Sequence, residues 1–412
     1  MKSSQHWNFL LSNQVDKKTF IKSILSEHAP TELSFFNNLR GILFSDLAIQ
    51  DFLQKEHKYD TVEGALNSTR KLTTFSSGEQ KKLFLEYCLQ QKADYIVFDN
   101  PLDHLDTNSR KYLLAELKKL ATSIYIIHIV NRVNDLLPFI QNNKQISPDS
   151  FEMHPIVAVN SRNDATLKNK IPTALEPTAY DGTVLIEMKK VSVSYLERQI
   201  VTDIDWTIKK GEFWQLIGPN GSGKSTLLSL LTGENAKGYG QDLYLFGYKK
   251  GSGESIWDIK KHIGYFANAM TSSYQGSQTL EQMILSGFFD SVGLYTQPTL
   301  VQKKIVQQWL DLVGLSLQKE ATFKRLPLGQ QRLALIVRAV LKHPPLLILD
   351  EPLEGLDDEN SLLITNLINI LIAETSIAII YVSHRVETSL KPQAIFELSP
   401  SQEGSKGILI KR

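Results

Sequence analysis

The residues best suited to chemistry lie in one short stretch, Gly218-Pro219-Asn220-Gly221-Ser222-Gly223-Lys224-Ser225-Thr226. An apolar run, Phe213 to Ile217, precedes it, and Leu227 to Leu231 follows. That order predicts a strand, a glycine-rich turn and a helix. The spacing fits G-x-x-x-x-G-K-[ST], a phosphate-binding loop. Its glycines allow backbone conformations that a Cβ would penalise. The freed N–H groups then cradle phosphate oxygens at a helix N-terminus, where the dipole favours negative charge. Lys224 would reach the β- and γ-phosphates of a nucleotide, and the Ser225 hydroxyl would hold Mg²⁺.

A second set of groups begins 126 residues after Lys224. Leu346-Leu-Ile-Leu-Asp350-Glu351 reads as a buried parallel strand that delivers two carboxylates at its C-terminal end. Asp350 would bind Mg²⁺ through water. Glu351 is placed to orient the attacking water and accept its proton. A further strand pattern, Ile377 to Ser383, ends at His384, at the edge where open α/β sheets bind ligands. His384 would hydrogen-bond a γ-phosphate there.

The same pattern occurs earlier in weaker form. Trp7, Asn13, Lys17 and Thr19 lie 207 positions before Trp214, Asn220, Lys224 and Thr226. In that first loop Leu11, Gln14 and Asp16 replace the three glycines, and Asp16 puts a negative charge where phosphates belong. Left-handed positions cost non-glycine residues about 1–2 kcal/mol each, so this loop is expected to have lost nucleotide binding. Tyr95 to Asp106 lies 251 positions before Leu346 to Asp357, with Asp99-Asn100-Pro101 matching Asp350-Glu351-Pro352. Each acidic strand follows a helical pattern, Lys81 to Lys92 and Gln331 to His343, and each helix follows a glycine-containing turn. Two related units of α/β type are therefore expected. Between loop lysine and turn glycine the first unit is 44 residues shorter, and the second has strand pattern from Leu185 to Ile208 ahead of its loop. His128, inside a strand pattern, reads as core.

These elements divide the chain into a degenerate first domain at 1–141, a linker at 142–184 and a second domain at 185–412. The linker reading rests on a polar, Pro-containing composition with little periodicity. The 412 residues are 42% hydrophobic and 22% charged, ordinary for a globular protein. A formal net charge of +1 excludes a global field that would draw nucleic acid or acidic membrane. The single cysteine, Cys88, rules out an internal disulfide and suits a reducing compartment. No signal-peptide pattern opens the sequence, and no apolar run approaches the ~20 residues that span a bilayer.

The phosphate loop, the acidic strand, the glycine turn upstream and the terminal histidine together resemble the ATP-binding cassette (ABC) ATPases. The resemblance covers nearly the whole chain. It implies a P-loop NTPase fold with two fused nucleotide-binding domains, the first truncated and degenerate. It implies ATP and Mg²⁺ as cofactors, and intramolecular pairing in which each ATP lies between the loop of one cassette and the signature turn of the other. Tyr195 matches the aromatic that stacks on adenine. Ser76, Ser77 and Gly78 match a signature turn and would complete the site of Lys224, Ser225, Asp350, Glu351 and His384. Asn268 stands where a glutamine is expected, a candidate third group at the metal. The other composite site would pair Lys17, Asp99, Asn100 and Asn131 with Pro327, Leu328 and Gly329, and Asn100 cannot act as a base. The stretches Gly238–Tyr265 and Leu285–Tyr295 resemble a tandem branch of the family found with molybdate-transport components. The expectation is a cytoplasmic ATP hydrolase with one live site. It would energise a membrane permease subunit from the inner face of the membrane. The alternative is a switch acting on a ribosome, nucleic acid or a protein partner, although no specific nucleic-acid motif is evident.

Overall fold

The computed structural model describes residues 5–26, 29–59, 75, 77–148, 150–156, 170–176, 180–274, 276–384, 387 and 389–411. The chain forms two compact units. The first is Met1–Asn163 with Gly355–Asp358, and the second is Asp164–Glu354 with Glu359–Arg412.

In the first unit the elements run β1 (Trp7–Leu11), α1 (Lys17–Ile24), β2 (Gly41–Phe44), α2 (Asp46–Tyr59), α3 (Ser77–Gln90), β3 (Tyr95–Asp99), α4 (Thr107–Leu120), β4 (Tyr125–Val130), β5 (Asn142–Ile146) and β6 (Met153–Pro155). The strand order is β2-β3-β4-β1-β5-β6, parallel except for the β5–β6 pair. Strands such as Tyr95-Ile-Val-Phe98 are apolar on both faces because helices cover both faces. Phe44, Phe84, Leu113 and Leu117 pack on one side, and Phe9, Phe20, Leu33 and Ile129 on the other. His128 is fully buried against Asn8, as a core residue should be.

The strands at 142–146 and 153–155 correct the expectation of a linker beginning at 142. Asn142-Asn-Lys-Gln-Ile146 buries only Ile146. Its backbone pairing with β1 outweighs a polar composition that gives no apolar periodicity. Residues 157–169 and 177–179 of that stretch lie outside the described residues.

The second unit opens with an antiparallel pair, β7 (Val184–Tyr195) and β8 (Arg198–Lys209). There follow β9 (Phe213–Ile217), α5 (Lys224–Leu231), β10 (Asp242–Leu245), β11 (Tyr248–Lys249), α6 (Ile256–Lys260), β12 (Ile263–Ala267), α7 (Met270–Ser273), α8 (Leu280–Leu285), α9 (Leu300–Leu312), α10 (Leu328–Val340), β13 (Leu346–Asp350), α11 (Asp358–Glu374), β14 (Ala378–Val382), β15 (Ala394–Ser399) and β16 (Lys406–Lys411). Its larger sheet runs β12-β13-β14-β9-β15-β16, the order of the first unit's sheet strand for strand. A smaller sheet, β11-β10-β7-β8, faces it across a core of Met188, Trp206, Leu227, Leu243 and Phe396. Capping boxes at Thr279/Gln282 and Thr299/Gln302 start α8 and α9 by satisfying orphan N–H groups.

Candidate functional site

β13, β14 and β9 are neighbours in register, with Asp350 opposite Val382 and Val382 opposite Leu216. Their C-terminal ends therefore bring together the acids, His384 and the glycine loop. The loop requires glycine for two reasons. A Cβ on Gly218 would lie 2.6 Å from Ser222 Oγ and 3.0 Å from the Leu398 carbonyl oxygen. Gly223, at φ 93°, caps α5 in the left-handed region, and its Cβ would meet Val201 at 2.7 Å.

Lys224 folds back over this loop and donates to the carbonyls of Gly218 (2.8 Å) and Pro219 (3.0 Å). Ser225 is exposed on the first turn of α5. The Ser222 hydroxyl is buried with no hydrogen-bond partner among the described residues. An orphaned hydroxyl inside a loop of this shape fits a phosphate oxygen.

At the end of β13, burial and then the neighbouring Glu351 carboxylate push the Asp350 carboxyl up to about 6, against the pull of Lys224. A carboxylate so disfavoured is a fitting ligand for a divalent cation. Glu351 takes a left-handed φ of 52° and donates its N–H to the Val382 carbonyl (3.0 Å). Its Oε1 lies 2.6 Å from His384 Nε2, while His384 Nδ1 is buried without a partner among the described residues. A carboxylate and an imidazole thus share one hydrogen bond beside the loop, an arrangement suited to moving a proton.

Tyr195 is 44% exposed at the end of β7, and its hydroxyl accepts from Asn235 Nδ2 at 3.0 Å. Asn268 follows β12, but its amide is engaged: Nδ2 donates to Glu354 Oε2 (3.1 Å) and Oδ1 accepts from Arg332. Pro327 caps α10 with no side-chain hydrogen bond.

In the first unit the loop lysine and the strand-end aspartate persist as Lys17 and Asp99, but the groups around them differ. Lys17 Nζ pairs with Asp99 Oδ1 at 2.8 Å. Asp16 caps α1 by accepting from Thr19, whose hydrogen bonds hold the carboxyl below its usual range. Asn100, at φ 44°, donates to Asn131 Oδ1 at 2.5 Å, and Asn131 Nδ2 donates to the Leu11 carbonyl. Ser77 and Gly78 begin α3. Ser76 lies outside the described residues.

Sequence reasoning missed Lys81 and Arg332, the cations one turn into α3 and α10. Their signal was the same 251-residue offset that relates the acidic strands. It also missed that Gly238–Tyr265 and Leu285–Tyr295 converge: Trp257, Lys260 and Tyr265 from the first, and Asp290 and Val292 from the second, line one cavity of about 380 Å³. Among the described residues no helix is long and apolar enough to cross a membrane.

Known proteins place this geometry. A family model described as ABC transporter matches residues 201–354. ABC transporter ATP-binding protein ModF of Escherichia coli is 41% identical over 77% of this chain and 68% of its own length. An uncharacterized ABC transporter ATP-binding protein of Schizosaccharomyces pombe is 28% identical over 76% of this chain and 65% of its own. The chain thus aligns with about two thirds of each relative. A chain in a model of ribosome-bound archaeal Pelota and ABCE1 superposes with a TM-score of 0.64 at 16% identity, over 99% of this chain and 75% of that one, a likeness of fold alone. The glycine loop, the acidic strand and the 41% identity converge on one conclusion: this chain belongs to the ATP-binding cassette ATPases, a family of ATP hydrolases that includes ModF.

Proposed function

We propose that the chain hydrolyses ATP at one composite site, built on the loop and acids of the second unit and completed by Ser76, Ser77 and Gly78 of the first. The observation that carries this reading is the contrast between Glu351–His384 and Asn100–Asn131 at matching strand ends. One pair can move a proton and the other cannot. Ser225 and Asp350 would hold Mg²⁺, which supplies positive charge to the phosphate oxygens when bound. Lys224 and the loop N–H groups stabilise negative charge on the transferring phosphoryl group. Glu351 takes the proton of the attacking water, and His384 holds that carboxylate in place. Tyr195 stacks on adenine. Asn268 has no direct metal contact in this reading, because its carbonyl is taken by Arg332.

The hydrolysis is proposed to energise a membrane transport complex from the cytoplasmic face. Similarity to ModF, an ABC transporter ATP-binding protein, supports that role. The cavity bounded by Trp257, Tyr265 and Val292 offers a permease a mixed apolar and charged surface on the second unit. Equilibrium dialysis with a non-hydrolysable ATP analogue tests the site count. One site per chain is expected, and two equivalent sites would overturn the reading. Co-purification separates the roles: a membrane permease supports transport, whereas a ribosome would replace it.

A further inference from the structure

Each unit contains a cation that the chemistry above does not use. In the second unit Arg332, one turn into α10 and 3% exposed, donates to the backbone carbonyls of Pro352 and Glu354. Its guanidinium also donates to Asn268 Oδ1, and Asn268 Nδ2 returns to Glu354. One side chain therefore joins three segments: the helix after the glycine turn, the turn after the acidic strand, and the end of β12.

The first unit repeats this with different residues. Lys81, one turn into α3 and also 3% exposed, donates to the carbonyls of Pro101 (3.2 Å) and Asp103 (2.7 Å). Those are the counterparts of Pro352 and Glu354 at the 251-residue offset. Lys81 Nζ also lies 3.0 Å from Asp46 Oδ1. Strand register identifies Asp46. Phe44 opposes Phe98 and Phe266 opposes Leu349, so the second residue beyond each is Asp46 in one unit and Asn268 in the other. The tie is the same, made by Lys–Asp in one unit and Arg–Asn in the other.

From this repetition we infer that Lys81, held by Asp46, is a positioning residue that sets the N-terminal turn of α3 for ATP hydrolysis at the second unit's loop. In the first unit Asn100 and Asn131 leave no proton chemistry for the tie to support, yet it is complete. What remains for it to hold is Ser77–Gly78, three to four residues before Lys81. A lysine buried on three oxygen partners fixes that turn against the turn after β3, since moving either breaks a charge-assisted hydrogen bond. This inference rests on the composite-site reading.

Steady-state ATPase kinetics of Lys81→Met, Lys81→Arg and Asp46→Asn test it, with nucleotide binding and thermal melts measured alongside. Gly78→Asp serves as the control for the composite site. Lys81→Met should lower kcat at least about tenfold while KM and analogue affinity stay near the parent's, the pattern of a lost transition-state contact. Lys81→Arg, which copies the second unit, should recover most of kcat, and Asp46→Asn should cost less than Lys81→Met. Unchanged kcat in Lys81→Met with Gly78→Asp inactive would overturn the inference and leave the composite site standing. An active Gly78→Asp would overturn both. A kcat that falls only in proportion to the folded fraction would reduce Lys81 to a packing residue.

Discussion

At the ends of β3 and β4 the first unit sets Asn100 against Asn131; at the ends of β13 and β14 the second sets Glu351 against His384. The surrounding frame is common to both. The strand orders coincide, and the acid positions share a left-handed backbone, φ 44° at Asn100 and 52° at Glu351. The turn beyond repeats too, with φ 59° at His104 and 66° at Gly355. Two differences in side-chain chemistry thus separate a pair able to hold and release a proton from one locked amide to amide. The loops diverge in the same direction. Lys224 rests on two carbonyls of an open glycine loop, whereas Lys17 is neutralised by Asp99. A fold can keep its geometry after losing its reaction because packing fixes the former and a few polar groups the latter.

The sharpest break in that comparison is at the base. Glu351→Gln keeps the shape and the hydrogen bond to His384 but cannot accept a proton. Turnover should fall by about 10²–10³, the loss typical of one preorganised catalytic group. Analogue binding should survive. A variant that keeps turnover would remove the meaning assigned to Asn100.

The glycine turns come next, each proposed to serve the loop of the other unit. A Cβ on Gly78 would lie 2.8 Å from Ser109 Oγ, the end of a side chain that can rotate away. A Cβ on Gly329 would lie 2.1 Å from Asn360 Cγ in a buried helix start. Gly329→Asp should therefore melt lower than Gly78→Asp. Turnover should rank the other way, with Gly78→Asp nearly inactive because its carboxylate would repel phosphate in the proposed composite site. ATPase rates at saturating ATP, corrected for folded fraction, decide between them. Equal losses, or a loss only at Gly329, would reassign the live site.

Local spacing made the loop, the acidic strand and the 251-residue repeat legible, since each is a short run whose neighbours in sequence are its neighbours in space. Three features were hidden for physical reasons. β5 buries only Ile146 and so shows almost no apolar pattern, and β6 is an edge strand closed by Pro155. Asp46 was invisible as the partner of Asn268 because the offset between units is 207 at the loop, 222 at β2 and β12, and 251 beyond. The shortening is split around β2, and only strand register locates the match. The role of Arg332 depends on contacts across more than 60 residues, which no window of sequence contains.

Asp350 offers a smaller test with a definite sign. Its folded-state value of about 6 stands above the ordinary 3.8, so the folded protein holds that proton more tightly than the unfolded chain does. The stability this contributes is full below about pH 4 and is lost as pH rises through 6. Asp350→Asn removes the penalty. Without nucleotide, the variant should melt a few degrees above the parent well above pH 6, and the gap should close toward pH 4. Mg-ATP should reverse the order by stabilising only the parent. A gap that is flat with pH would mean that the carboxyl is not strained by its burial.

The smallest effect is expected at Lys17, and its smallness is the point. Lys17 and Lys224 occupy the same place after matching strands, in loops that differ at all three glycines. The pair with Asp99 takes up the Lys17 charge, with the two side chains 33% and 14% exposed. Lys17→Ala should leave ATP turnover and analogue stoichiometry unchanged and lower stability by about 1 kcal/mol or less, as for other partly exposed ion pairs. Lys17→Ala with Asp99→Ala should regain part of that loss, since removing both partners leaves no unpaired carboxylate. A double-mutant cycle on thermal stability measures the coupling, and the ATPase rate of each variant is read alongside it. If Lys17→Ala abolishes turnover, or a second nucleotide site disappears with it, the first loop binds phosphate despite Gln14 and Asp16, and the two units are chemically alike.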